Sequence, residues 1–113
     1  MDLAKLCCVC MKIELFRNVT SCKYFKTTVK NGEITREVEW ENTNKLLRRD
    51  GFLGLKTGIT VTAGPCLAAA YNFRDKIYIS VILRAAKVSS RFKETRLLLH
   101  WSLCKLYKDL SEG

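Results

Sequence analysis

Three short patterns in this chain carry residue types that could do chemistry. One is Lys56-Thr57-Gly58, which sets a cation, a hydroxyl and a bare backbone position side by side. Another is a serine with a lysine three residues later, found at Ser90-Arg91-Phe92-Lys93 and again at Ser102-Leu103-Cys104-Lys105. On a helix that spacing puts the amine one turn from the hydroxyl, within reach to accept its proton and free the oxygen for attack on a carbonyl. The third is His100 with Cys104, again one turn apart, two side chains that metals favour.

Each pattern has a plainer reading. With six serines and twelve lysines, about 0.6 Ser-x-x-Lys strings are expected by chance, and Ser90 reads first as a helix cap. A lysine at a strand edge needs no role beyond solvation. A zinc site would need paired spacing such as Cys-x-x-Cys twice, which is absent, so neither a metal nor a cofactor is expected. Three of the six cysteines (Cys7, Cys8, Cys10, Cys22, Cys66, Cys104) crowd into four positions, a poor layout for a disulfide framework, and all six read as buried or half-buried thiols.

The elements that must position these residues follow from hydrophobic spacing. Leu3, Leu6, Cys7, Cys10 and Ile13 predict a helix over residues 2–14, with Asp2 near its cap. The run KYFKTTVKNGEITREVEW places β-branched and aromatic residues on both sides of Asn31-Gly32 and predicts a two-stranded ribbon. WENTNKLLRRDG reads as loop with one helical turn. Strands are predicted at residues 53–59, 65–73 and 76–85, the last two joined by a turn at Arg74-Asp75. A final helix begins at Ser89 or Ser90, with Phe92, Leu99, Leu103, Leu106 and Leu110 as its apolar stripe, broadened by Leu98 and Trp101. CLAAAYNF and IYISVILRA are apolar on both faces, so both faces of the sheet must be covered. The final helix covers one. The first helix and the ribbon are little material for the other, which predicts self-association through an uncovered sheet face or a layer supplied by a further segment.

A chain of 113 residues is expected to form a single domain. Its net charge of +9 favours polyanions, acidic lipid surfaces or anionic substrates. The Lys and Arg residues are dispersed, with only Lys45, Arg48 and Arg49 clustered, and no base-stacking motif accompanies them, so no nucleic-acid partner is expected. No apolar run approaches the roughly 20 residues of a membrane helix. MDLAKLCCVCMKIELF does not read as a secretory signal, so the chain as written is expected to stay in the cytoplasm.

The neighbours of Lys56 change the odds on Lys-Thr-Gly. NTNKLL, GLKTGIT and AGPCLAAA occur in that order and at close spacing. Together they resemble the serine D-alanyl-D-alanine carboxypeptidases, the low-molecular-mass penicillin-binding proteins, whose stretch reads Asn-x-Asn-x-Leu-Leu, Gly-x-Lys-Thr-Gly-x-Thr, then Ala-Gly and an apolar strand. DLAKLC resembles that family's helix after its second motif, and SSRFKETRLLLHW its arginine-bearing C-terminal helix, so the resemblance covers residues 2 to about 103.

The resemblance implies an α+β fold, part of the β-lactamase/transpeptidase-like architecture: an antiparallel sheet of about three core strands plus a β-hairpin, with N-terminal and C-terminal helices. It implies that Lys56 and Thr57 hold the carboxylate of a D-alanyl-D-alanine-terminated peptide, that Gly58 leaves the strand bare where substrate lies, and that the N–H of Ile59 is half of an oxyanion hole. The family often has a polar or aromatic residue at the Ile59 position. Arg91 matches a family arginine near the site.

In this family a Ser-x-x-Lys nucleophile and a Ser-x-Asn motif precede Lys-Thr-Gly. This chain begins downstream of both and contains no Ser-x-Asn. Residues 1–113 are therefore expected to be one incomplete catalytic-domain segment, inactive alone, that meets D-alanyl-D-alanine peptides or β-lactams if the remaining part is supplied. The alternative is a catalytically dead peptide-binding or interaction module.

Overall fold

The computed structural model describes residues 2–111, and side chains as far as residue 109. Two helices, α1 (Asp2–Cys10) and α2 (Glu14–Thr20), precede a ribbon of β1 (Tyr24–Asn31) and β2 (Ile34–Glu41). A 3-10 turn (Lys45–Arg48) leads into β3 (Phe52–Thr60), β4 (Gly64–Phe73) and β5 (Lys76–Ile82), followed by α3 (Ser90–Leu106) and the short α4 (Lys108–Ser111). The strands form two antiparallel sheets, β1-β2 and β3-β4-β5.

The helix predicted over residues 2–14 is two helices. Ile13 is extended (φ −92°, ψ 115°) at the start of α2. The break turns Met11 into the core, where it is 3% exposed, and the Arg17 guanidinium donates to the Met11 carbonyl at 2.6 Å. Of the predicted stripe only Cys7 is buried, while Leu3, Leu6 and Ile13 face outward. Burial and the neighbouring Cys10 and Cys8 thiols push the Cys7 thiol up from its ordinary pKa.

The hairpin forms with a two-residue loop at Gly32-Glu33, one residue beyond Asn31-Gly32, because Gly32 takes the left-handed position (φ 64°) and Asn31 pairs with Ile34. Arg74 and Asp75 both have positive φ, 52° and 64°, and make the tight β4-β5 turn. The strand predicted to reach residue 85 stops at Ile82: Arg84 is left-handed (φ 54°), and the Ala85 N–H turns back to the Pro65 carbonyl. The radius of gyration is 16.4 Å, against about 13 Å for a compact chain of this length. The molecule is elongated, 61 × 34 × 27 Å, and the ribbon is almost wholly exposed.

The core lies between β4 and α3. Leu46, Leu67, Ala69 and Phe92 form one buried cluster with Phe52 against it. α3 turns Arg91, Phe92, Thr95, Leu99 and Leu103 inward. Leu98, Trp101 and Leu106, placed in the stripe by sequence, are exposed, and the Leu110 side chain lies outside the described residues. Ser89 makes no side-chain cap, since it is already helical (φ −75°, ψ −26°) as the chain winds in from the turn at Lys87. Arg74 ion-pairs with Asp109, drawing the Asp109 carboxyl below its usual pKa, and stacks on Phe73 and Tyr107, which fastens α4 to the β4-β5 turn.

The opposite sheet face is covered at its centre. Ala68 and Ala70 are buried, α1 packs on β5 and α2 on β3, and the Thr20 hydroxyl donates to the Leu53 carbonyl at 3.2 Å. The apolar surface left over is on the outward sides of α1 and α2, at Leu3, Leu6, Val9, Leu15 and Val19. A Cβ at Gly54 would sit 2.7 Å from the Thr20 hydroxyl oxygen and 3.0 Å from its Cβ. Gly54→Ala is therefore expected to lower stability by about 1–3 kcal/mol, read from denaturant midpoints. An unchanged midpoint would show that α2 does not bear on β3.

Candidate functional site

Lys56, Thr57 and Gly58 lie in β3, which is an edge strand of its sheet. Its pairing with β4 determines where its backbone groups point. Pro65 stands opposite Ile59, and the Pro65 carbonyl accepts from the Ala85 N–H, on the far side of β4 from β3. In an antiparallel ladder opposed residues alternate between pairs that bond each other and pairs that point apart. Ile59 and Pro65 point apart, so the N–H and C=O of Ile59, and by alternation those of Thr57, face the free edge. Pro65, which has no N–H to give, fits a position whose partner does not ask for one.

The side chains divide between two faces. Lys56 and Gly58 pair with Ala68 and Cys66, on the face that α2 borders at Gly54. Thr57 and Ile59 point to the α3 side. Lys56 is exposed, and its ammonium donates to the Thr57 carbonyl at the strand's open edge. Nothing lies within 4 Å of where a Gly58 Cβ would be. A cation, outward N–H groups and bare backbone meet at one edge, an arrangement able to receive an extended chain that ends in a carboxylate.

The Asn42-Thr43-Asn44 run ties this edge to its surroundings. Asn42 Nδ2 donates to the Thr20 and Cys22 carbonyls at 3.2 and 3.0 Å, and its Oδ1 accepts from the Asn44 N–H. The Asn44 Oδ1 caps the 3-10 turn at the Leu46 N–H. Between them the Thr43 and Thr57 hydroxyls are hydrogen-bonded. Three consecutive residues thereby join α2, the turn and the candidate strand.

Arg91 reaches the same strand from beneath. It is 7% exposed, and one terminal nitrogen donates to the Gly58 and Cys66 carbonyls at 3.5 and 3.4 Å. The guanidinium also lies 4.9 Å from the Phe92 ring centroid. Its position is behind the sheet rather than at the open edge.

The structure brings Lys56, Thr57, Gly58 and Ile59 together on one edge, with Arg91 below. It does not bring Ser90 or Ser102 to the Lys56 side chain. Both are in α3, on the Leu67 and Ala69 face, whereas Lys56 pairs with Ala68 on the other. The His100 Nε2 and Cys104 Sγ lie 3.7 Å apart, and no cluster of three metal-ligating side chains occurs among the described residues. No helix among them is long and apolar enough to cross a membrane. Residue-by-residue reading missed the Thr43–Thr57 contact, for which no local signal exists, since the two threonines come from separate elements.

A family model described as D-alanyl-D-alanine carboxypeptidase matches residues 1–87. The D-alanyl-D-alanine carboxypeptidase of Streptomyces sp. strain K15 is 31% identical over 102 residues, 88% of this chain and 35% of its own length. The crystal structure of the Streptomyces K15 DD-transpeptidase superposes with a TM-score of 0.84 at 28% identity, over 91% of this chain and 40% of that one. Penicillin-binding protein D2 from Listeria monocytogenes, solved in its cefotaxime-bound form, gives a TM-score of 0.63 at 32% identity, over 79% of this chain and 34% of that one. The chain thus spans about a third of the curated relative it matches. Its α+β arrangement is that of the DD-transpeptidases, and the chain belongs to the D-alanyl-D-alanine carboxypeptidase family.

Proposed function

We propose that this chain supplies the carboxylate-holding edge of a serine-type D-alanyl-D-alanine carboxypeptidase site. The supporting observation is the free edge of β3, where Lys56 and the outward N–H groups of Thr57 and Ile59 meet beside an open Gly58. An extended peptide pairs with that edge, its terminal carboxylate against the Lys56 ammonium and the Thr57 hydroxyl. The Ile59 N–H donates to oxygen that becomes negative in a tetrahedral intermediate. Arg91 keeps Gly58 in place from behind and adds positive charge beneath the carboxylate.

Acyl transfer also needs a nucleophile, and none of the described serines faces Lys56 from a helix start. A labelled penicillin is therefore expected to leave this chain unmodified, and covalent labelling would overturn that part of the reading. The binding part has its own test. Gly58→Ala should fold with an unchanged melting temperature, because its Cβ meets open space, yet weaken a fluorescent D-alanyl-D-alanine peptide by about tenfold through blocked approach. Equal affinity in the two proteins counts against substrate lying over Gly58. Peptide binding without restored acylation, once the nucleophile-bearing part of a relative is joined to the chain, favours a binding module instead. The exposed apolar sides of α1 and α2 are the surface through which such a chain self-associates, seen as a concentration-dependent sedimentation coefficient.

A further inference from the structure

A groove of about 670 Å³ opens on the sheet face opposite Lys56, between the end of the 3-10 turn and α3. Its floor is aromatic. Phe52 and Tyr71 have ring centroids 4.8 Å apart, and Tyr71 and Phe73 6.4 Å, so the rings run from β3 to β4 and then along β4. Leu99 and Leu103 of α3 extend that apolar floor.

The walls carry three arginines and a histidine. Arg48 and Arg49 stand on the turn side, and Arg96 and His100 on the α3 side. Arg48 is paired with Glu41 at 2.8 Å, on the exposed side of the turn. Arg49 and Arg96 make no ion pair among the described residues, and Asp50, the one acidic residue of the lining, makes none either. With Arg48 neutralised by Glu41, the unpaired Arg49 and Arg96 against Asp50 leave the groove positive by one charge. The Arg96 Nε is buried and has no hydrogen-bond partner among the described residues. A buried N–H without an acceptor is costly, more so on a charged group. Arginines lining a groove with an apolar floor are suited to an oxyanion carried on an apolar body.

We propose that this groove is a second binding site, for a small amphiphilic anion: a carboxylate, sulfonate or phosphate attached to an aromatic or short aliphatic group. The apolar body lies on Phe52, Tyr71 and Phe73, and the anionic group pairs with Arg96 and Arg49. The site stands on α3, which also holds β3 through Arg91, and on the 3-10 turn, which follows the Thr43 that bonds Thr57. It does not depend on the reading of Lys56, and Lys56→Ala is expected to leave it unchanged.

The test titrates the chain with 8-anilinonaphthalene-1-sulfonate and, in parallel, with neutral N-phenyl-1-naphthylamine, which has the same ring body without the anion. The sulfonate is expected to bind at least tenfold more tightly, and Arg49→Gln with Arg96→Gln to remove that preference while the neutral probe is unaffected. Equal affinity for the two probes, or a preference that survives both substitutions, overturns the proposal. If Arg96→Gln fails to fold, Arg49→Glu, on the exposed rim, carries the test: a sulfonate affinity within twofold of the parent sinks the idea. Competition separates the sources of such an anion. Displacement by monomeric dodecyl phosphate alone supports a lipid headgroup, displacement by 1-naphthoate supports a free aromatic acid, and displacement by neither overturns the assignment.

Discussion

Lys56→Ala is expected to weaken binding of a D-alanyl-D-alanine-terminated peptide by about ten- to a hundredfold, since a hydrogen bond to a charged group contributes about 1.5–3 kcal/mol. The loss should appear without a change in melting temperature, because the side chain is exposed and, among the described residues, its ammonium bonds only the neighbouring Thr57 carbonyl. Both readouts are needed. A solvated lysine with no role would leave affinity unchanged, and a structural lysine would lower stability. Lys56→Arg should recover part of the affinity, as it keeps the charge while changing its shape. Isothermal titration with peptides ending in a carboxylate and in an amide completes the test: the amide should bind the parent as weakly as the carboxylate binds Lys56→Ala. If parent and variant bind the carboxylate peptide alike, Lys56 does not hold it.

Leu67→Ala is expected to be the most damaging single substitution for the fold. Leu67 is 1% exposed and packs with Leu46, Ala69 and Phe92, so it touches the turn, the sheet and α3 at once. Truncating a buried leucine costs about 2–5 kcal/mol through lost transfer energy and the cavity left behind. Small domains are stable by only about 5–15 kcal/mol, and a chain that leaves so much of α1, α2 and the ribbon exposed belongs near the lower end. The variant should unfold at a much lower denaturant concentration or fail to accumulate as folded protein. Leu106→Ala, at the last residue of α3 and 63% exposed, is the control and should change stability by no more than about 0.5 kcal/mol. Equal effects of the two would mean that the cluster between β4 and α3 is not the core.

The contrast between Leu67 and Leu106 shows where sequence reading reached its limit. Periodicity found α3 but took its stripe to include Leu98, Trp101 and Leu106, because apolar residues occur around most of that helix. Which side is buried depends on the sheet beneath it. The hairpin, the three strands and their turns were legible because their signals are local: Gly at a left-handed position, Arg-Asp at a tight turn, β-branched runs between them. The break at residues 11–13 was not, since it is driven by burial of Met11 and by the Arg17 bond to its carbonyl.

The same division holds at the candidate site. The order of NTNKLL, GLKTGIT and AGPCLAAA was enough to point to the family, because motif order and spacing are properties of the chain itself. Sequence also placed Lys56, Thr57, Gly58 and Ile59 next to one another by covalent connection. Only the tertiary structure decided that their strand is an edge, that the Ile59 N–H points away from β4, that Arg91 sits behind the strand, and that Ser90 and Ser102 lie on the side of the sheet opposite the Lys56 side chain. Those facts depend on which residues face one another across β3, β4 and α3. Pairing partners are chosen by packing over the whole molecule, and no local run of residues encodes them.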